Sequence, residues 1–429
     1  MSAPLPGNPL SSHVRPDLPG RFNELDVLRR QWGRFAATVE GQIVPPFEVL
    51  IHPSSGCNLR CDWCIGDHVP LEIWDDQREE LVLLDAAKVA SDRLPDALAV
   101  PENMMKLAQE LVDYRVEARY RHDGREHRDT FGIENVSFSG LIGEPLIARR
   151  ALVPAIDYLV ARGMRVGIFT NGVLMDEAVI EVLLGAAYVH VSIDAATPQT
   201  YADLKYGGRP AGQAMFDKAV ANVARLAERR RESGATVEIN TSFVMYPQNF
   251  GEVYDAAHLL SQVGVDSLRL KQDNSGSQPL SDQQRAEAKR LVERIRAEVE
   301  TEAFRLVEIH QLDNPQEMAR TCSTCSITDL MAAVGSDGHL YPCNYHPRPG
   351  GFSYGSAIDT SFAQVWESQE RQRLRHQLPT ICPTVCDPFK NRANRLLAEA
   401  KTVVADSGID RLEKHVADLV DGGAYAIER

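Results

Sequence analysis

Eight cysteines stand in two groups, and their placement constrains this chain more than any other feature. Cys57, Cys61 and Cys64 lie close together near the start, whereas Cys322, Cys325, Cys343, Cys382 and Cys386 lie near the end, with none between Cys64 and Cys322. Three thiols this close together in a long chain do not read as a secreted disulfide framework. Met1–Pro16 holds no basic region followed by an apolar core, so no secretory signal is expected and the expected compartment is the cytoplasm. Thiols stay reduced there, and the reading that remains for two such groups is metal.

The rest of the composition narrows the partners. With 46 Lys and Arg against 60 Asp and Glu, the net charge is −14, which argues against nucleic acid as a partner. No run approaches the roughly 20 apolar residues of a membrane span. At 429 residues the chain has room for two or three domains.

Strand-length apolar runs alternate with helical patterns from residue 46 onward. Strands are expected at Phe47–His52, Asn135–Ser139, Arg165–Thr170, Tyr188–Ile193, Thr236–Val244 and Ser267–Lys271, and helices at Ile147–Arg162, Asp176–Leu184, Met215–Ser233 and Gly251–Val263. That alternation implies parallel strands with right-handed crossovers. Six units predict an α/β protein built on a partial (β/α)6 barrel, with a doubly wound open sheet as the alternative. The boundaries read as an N-terminal extension over 1–45, the barrel over 46–271 with an insertion at about 70–130, a linker and helix over 272–315, a small cysteine-rich domain over 316–390, and a helical tail over 391–429. Within the insertion, Pro101–Tyr114 reads as a helix and Arg115–Arg128 as a charged stretch. Residues Ser336, Asp337 and Gly338 mark the turn of a hairpin, and Ser361–Gln377 reads as a helix.

The first group is spaced C-x3-C-x2-C on the loop leaving the first strand, at the strand end where β/α barrels place their active sites. Three thiolates on a short loop can ligate three irons of a cubane and leave the fourth open, whereas structural zinc takes four closed ligands. A zinc loop borrowing His68 is the alternative.

This spacing, with Trp63 just before the last cysteine, resembles the radical S-adenosylmethionine (SAM) superfamily. The resemblance implies a 4Fe–4S cluster on Cys57, Cys61 and Cys64, whose open iron chelates the amino and carboxylate groups of SAM. Reductive cleavage then yields methionine and a 5′-deoxyadenosyl radical that abstracts a substrate hydrogen, with a flavodoxin- or ferredoxin-type protein as electron donor. Ser139–Pro145 is similar to the family's Gly-Gly-Glu motif, with Ile142 replacing the first glycine and Gly143 and Glu144 intact. It implies that Glu144 receives the SAM ammonium, which a carboxylate suits; a plain strand-to-helix turn is the other reading. Thr170-Asn171-Gly172 is a tripeptide the family often carries. Ser192 and Asp194 stand where the family approaches the SAM carboxylate and ribose, and Arg209 is a further candidate for that carboxylate. Asn240 and Arg269, in the fifth and sixth strands, are candidates with equally plain structural readings.

Cys325-x12-Gly338-x4-Cys343 is similar to the opening of the family's auxiliary-cluster domains, SPASM and the shorter twitch. Five cysteines, against about seven in a full SPASM domain, imply one auxiliary 4Fe–4S cluster on Cys325, Cys343, Cys382 and Cys386, with Cys322 spare. Cys322 and Cys325 both ligating, with one of the last pair spare, is the alternative; a zinc ribbon is another.

The substrate is the least legible part. In the family, auxiliary clusters accompany peptide modification and chemistry on sugars and aminocyclitols, and peptide modifiers often carry a longer N-terminal leader-binding module than residues 1–45 provide. A small polar natural-product substrate is therefore expected, most simply oxidised by a dehydrogenase. An epimerase with Cys322 as hydrogen-atom donor and modification of a ribosomally made peptide are the alternatives, and an iron–sulfur or zinc scaffold is the non-enzyme one. Asp273, Asn274, His339, Asn344, Tyr345 and His346 are polar residues available to a sugar-like ligand.

Overall fold

The computed structural model describes residues 8–10, 23–64, 72–75, 80–83, 94–140, 143–273, 278–310, 312, 322–347, 352–378, 382 and 386–421. His68, Leu141, Ile142 and Asn274 lie outside them. The strands in chain order are β1 (Glu48–Ile51), β2 (Glu72–Asp75), β3 (Glu80–Leu83), β4 (Arg115–His122), β5 (Arg125–Gly132), β6 (Asn135–Phe138), β7 (Arg165–Thr170), β8 (Tyr188–Ser192), β9 (Glu238–Met245), β10 (Ser267–Gln272), β11 (Arg305–Glu308), β12 (Met331–Val334), β13 (His339–Tyr341) and β14 (Gly355–Ser356).

One ten-stranded sheet runs β11-β10-β9-β8-β7-β6-β1-β12-β13-β14. All six expected barrel strands are in it, parallel and in sequential order. Winding in one direction from β1 to β10 is the order of a partial barrel, not of a doubly wound sheet, which reverses at a switch point. The crossover helices fall where their patterns place them: Arg149–Ala161, Glu177–Leu183, Ala211–Ser233 and Val253–Val263. One face of each strand feeds the main apolar core, through Val136, Phe138, Ile168, Val189, Val191, Ile239, Leu268 and Leu270. Side chains alternate along a strand, so Ser137, Phe169, His190, Asn240 and Arg269 occupy the opposite face. Polar links cross that face: Ser137 Oγ donates to Glu48 at 2.6 Å and meets Tyr188 Oη at 2.7 Å, and Arg269 Nη1 meets His190 Nδ1 at 3.2 Å.

Three features depart from the sequence reading. The segment expected as linker and helix holds, besides the helix Asp282–Glu298, the strand β11, which extends the parallel row by one. The helix starts at a capping box in which Ser281 and Gln284 satisfy each other's backbone. Second, the charged stretch from Arg115 is an antiparallel hairpin, β4 with β5, turning at Asp123 and Gly124. Both turn residues have positive φ, 50° and 69°, as a two-residue hairpin loop requires. Alternation was present at Val116, Ala118, Tyr120 and His122 but was masked by the charges between them. Third, Ser361–Gln377 is two helices, Phe362–Glu367 and Gln369–Arg375, because Ser368 turns extended and caps the second.

The cysteine-rich region is joined to the barrel through backbone. β12 pairs parallel with β1 on the side away from β6, and β13 and β14 continue antiparallel from it. The N-terminal helices Glu24–Arg30 and Trp32–Val39 share a second apolar cluster with Pro388–Ser407 and Ile409–Asp421, including Leu25, Leu28, Phe35, Leu396, Leu397 and Leu412. Among the described residues no helix is long and apolar enough to cross a membrane.

Trp366 locks the cysteine-rich region to the chain's first segment. Its ring is buried, lies 3.5 Å from the Arg371 guanidinium carbon, and donates from Nε1 to the Val44 carbonyl at 2.9 Å. Trp366→Ala is expected to cost about 3–5 kcal/mol. Trp366→Phe, which keeps most of the packing but strands the carbonyl, is expected to cost about 1–3 kcal/mol. Urea unfolding midpoints check both; equal losses would show that the hydrogen bond contributes nothing.

Candidate active site

The cysteine loop after β1 is held by groups from several other parts of the fold. Asp96 accepts the Ser54 hydroxyl at 2.9 Å and both the amide and hydroxyl of Ser55 at 2.7 Å. From beyond β6, the Glu144 amide donates to the Gly56 carbonyl at 2.7 Å. Gly143 passes so close that a Cβ there would sit 2.4 Å from the Ser54 carbonyl oxygen and 2.6 Å from that of Gly56. From beyond β7, Asn171 donates to Asn58 Oδ1 at 2.8 Å. From the helix Pro198–Lys205 that follows β8, the carbonyls of Leu204 and Lys205 accept the amides of Asp62 and Arg60. Trp63 packs on Tyr246, just beyond β9, with ring centroids 5.4 Å apart.

Glu144 is buried and works as a brace across two strand ends. Its carboxylate accepts the Leu146 amide at 3.1 Å, the Thr170 hydroxyl at 2.5 Å and the Asn171 amide at 2.8 Å. Burial pushes its carboxyl above the ordinary range, and those three donors pull it back. Ser192 ends β8, with its hydroxyl 3.3 Å from that of Ser242. Asp194 sits at a positive φ of 59°, a conformation costing about 1–2 kcal/mol for an L-residue. Both of its carboxylate oxygens are engaged, one by Lys205 Nζ and the other by the Val244 amide, each at 2.7 Å. Arg209 lies in the turn beyond Lys205, over the Tyr206 ring. Asn240 is fully buried deeper in the sheet, accepting the Ser267 hydroxyl. The loop, Gly143, Glu144 and Asn171 are therefore in direct contact, while Ser192 and Asp194 attach to it through Lys205.

Lys205 is the residue whose part in the site the sequence did not disclose. Its ammonium is buried with Asp194 and also donates to the Ser192 carbonyl at 2.6 Å. Burial opposes that charge, but Asp194, Tyr201 and Cys61 together outweigh it and hold the amine above its ordinary value. Tyr201, one turn earlier on the same helix, is buried on the same face, but that spacing alone does not mark a lysine as inward-facing. The thiols feel it: burial pushes Cys57 up to about 12 and Cys61 well above its ordinary value, and Lys205 opposes the rise at both. Cys57, Cys61 and Cys64 also act on one another, so buried thiolates here need cationic charge beyond what Lys205 supplies.

The second group gathers all five of its thiols. Cys325 feels Cys343, Cys382 and Cys322, and Cys386 feels Cys343, Cys322 and Cys325. The hairpin β12–β13 is what brings Cys325 back to Cys343. Cys322 does not stand apart from the group. Of the polar residues available to a sugar-like ligand, Asn344 accepts Lys390 Nζ, His339 meets Ser353 Oγ at 3.0 Å, and the Tyr345 amide points at Cys343 Sγ at 3.5 Å. Asp273 is buried and accepts the Gln278 amide at 3.4 Å. Lys390 also lies within electrostatic reach of Cys343 and of His52, just beyond β1.

All eight cysteines are unbridged. Four sulfurs on one zinc, each at about 2.3 Å, must lie close together. Among the described residues, the only trio of cysteine, histidine or acidic ligand atoms within 4.8 Å of one another is His122, Asp123 and Glu413, at the tip of the β4–β5 hairpin. That trio contains no cysteine.

A parallel partial barrel with a C-x3-C-x2-C loop at its strand ends, joined to a second thiol group, defines an iron–sulfur enzyme. The chain matches the Radical SAM superfamily over residues 51–260 and SPASM, an iron–sulfur cluster-binding domain, over 322–387, together more than half its length. It belongs to the radical SAM superfamily, with a C-terminal SPASM domain. It is 22% identical over 334 residues to the tungsten-containing aldehyde ferredoxin oxidoreductase cofactor-modifying protein of Pyrococcus furiosus, spanning 74% of this chain and 79% of that one. It is 24% identical over 266 residues to PqqA peptide cyclase of Granulibacter bethesdensis, spanning 60% and 67%. The crystal structure of Streptococcus suis SuiB bound to S-adenosylmethionine has the same fold, with a TM-score of 0.52 at 14% identity over 87% of this chain and 73% of that one. SAM, a 4Fe–4S cluster and auxiliary iron–sulfur are thus the cofactors of this protein.

Two consequences follow from the loop's anchorage. Gly143→Ala forces a methyl into backbone that cannot yield without moving the cysteine loop. Iron should fall by about four per chain, the content of one 4Fe–4S cluster; full iron in the variant would show that the loop tolerates the shift. Lys205→Met leaves Asp194 buried and unpaired, and is expected to cost about 3–5 kcal/mol. Adding Asp194→Asn should recover part of that loss in a double-mutant cycle read by urea unfolding, whereas simple additivity would deny the coupling.

Proposed function

We propose that this radical SAM enzyme modifies a ribosomally made peptide. The observation that carries this reading is the similarity to PqqA peptide cyclase over 60% of the chain, a protein named for action on a peptide. The expected sugar or aminocyclitol substrate has no counterpart among these relatives, so the small-molecule dehydrogenase and the epimerase give way to the peptide reading.

When bound, the cluster at the first cysteine group supplies the electron that splits SAM into methionine and a 5′-deoxyadenosyl radical. The chain's own residues hold and orient the reactants. A carboxylate has about four acceptor positions, and Glu144 uses three within the protein; the fourth is proposed to receive the SAM ammonium. Ser192, at the end of β8, is proposed to donate to the SAM carboxylate. Asp194 holds Lys205 under the loop, and any contact it makes with the ribose shares oxygens already engaged. Arg209 stays a candidate for the SAM carboxylate from its turn, and Asn240 a candidate from below. In the second group, Cys325, Cys343, Cys382 and Cys386 are proposed to hold a single auxiliary 4Fe–4S cluster, which leaves Cys322 as the thiol not needed for four ligands; its part as hydrogen-atom donor belonged to the epimerase reading and goes with it. A flavodoxin or ferredoxin is the proposed electron donor.

The test uses reconstituted protein with SAM and dithionite under anaerobic conditions. Wild type should form 5′-deoxyadenosine well above a Cys57→Ala control. Synthetic deuterated peptides encoded beside the gene should pass deuterium into that 5′-deoxyadenosine. Transfer from a deuterated aminocyclitol or sugar, with none from any peptide, would return the substrate to the small polar class.

A further inference from the structure

The sulfurs of the second group already have N–H donors aimed at them. Asn394 Nδ2 points at Cys325 Sγ at 3.5 Å, and the Tyr345 amide at Cys343 Sγ at 3.5 Å. The third partner is a side chain with no assigned part in the centre: His346 Nε2 lies 3.4 Å from Cys382 Sγ. His346 is 3% exposed, and its amide is fixed on the Cys343 carbonyl at 3.1 Å. The imidazole thus spans from the hairpin cysteine to a cysteine nearly forty residues later in the chain. With a free thiol, either atom of this contact can be the donor. A sulfur ligating iron is a thiolate and can only accept, so the ring must then carry its proton on Nε2.

We propose that His346 is part of the auxiliary centre, donating a hydrogen bond from Nε2 to the Cys382 sulfur and raising the reduction potential of the cluster held there. The reason is electrostatic. Reduction adds negative charge that spreads onto the sulfurs, and a donor fixed on one of them stabilises the reduced state more than the oxidised one. The imidazole is buried while Cys382 is half-buried, so the donor is held in place by its packing. This assigns His346 as a positioning and tuning residue, in place of a contact to a sugar-like ligand, and it rests on the second cysteine group binding a cluster.

The experiment is a redox titration followed by electron paramagnetic resonance. It is done in full-length protein carrying Cys57→Ala, Cys61→Ala and Cys64→Ala, so that the auxiliary cluster alone gives the signal. In this background His346→Leu should keep iron at the parent's level and shift the reduction equilibrium about tenfold toward the oxidised form, equivalent to about 59 mV lower for one electron. His346→Gln, which keeps an N–H donor of similar reach, should recover part of the shift. An unchanged potential in His346→Leu with iron retained overturns the proposal. Iron loss from a variant with the parent's circular dichroism also overturns it, because His346 would then be a ligand. Independently of any variant, protein labelled with 15N-histidine should show a weakly coupled nitrogen in electron–nuclear double resonance of the reduced auxiliary cluster, and its absence counts equally against the proposal. A parent protein that binds no iron would instead defeat the auxiliary-cluster reading itself.

Discussion

The buried pair of Lys205 and Asp194 is the contact on which the site's architecture depends. It joins the end of β8 to the C-terminal turn of the helix after it, and that turn offers the Leu204 and Lys205 carbonyls to the cysteine loop. A buried ion pair contributes little net stability against an apolar replacement, so its value here is in position. The ammonium lies within electrostatic reach of Cys57 and Cys61 and offsets part of the rise that burial imposes on them. Asp194 accepts an unfavourable backbone conformation to make this pair, and the Asn249 amide group donating to its carbonyl at 2.8 Å helps to hold it there.

The same logic places Glu144 and Asn171. One carboxylate closes the ends of β6 and β7, and one amide carries that closure to Asn58 on the loop. A loop with little secondary structure of its own thereby takes its shape from strand ends on either side. Such preorganisation is what three ligands to one cluster require, since thiols that wander bind metal only at a cost in ordering.

The second cysteine group owes its position to a single backbone register. Glu48 opposite Met331, continuing to Ile51 opposite Val334, makes the hairpin that carries Cys325 and Cys343 a continuation of the barrel sheet. The two cysteine groups are therefore tied through β1, the strand that leads directly into the first of them. The terminal helices then close over this junction, with Leu25 and Leu28 meeting Leu396 and Leu397, and the ion pair of Glu24 and Arg392 seals it.

Cysteine spacing and strand–helix alternation by themselves determined the six parallel strands, the loop bearing the first thiols, and the hairpin joining Cys325 to Cys343, because each rests on residues near one another in the chain. Period-2 apolar runs mark strands wherever they are buried, and Gly338 with its neighbours marks a turn locally. The Arg115 hairpin escaped because solvent-facing charges alternate with its apolar residues, and β11 because the charges of Arg305 and Glu308 leave only Leu306 and Val307 as an apolar run. Only the tertiary structure decided that β12 pairs with β1, that Lys205 turns inward beneath the thiols, and that His346 meets Cys382. Each of these is a contact between residues whose pairing depends on how separate elements pack, and burial there sets a charge or a hydrogen bond that no local pattern encodes.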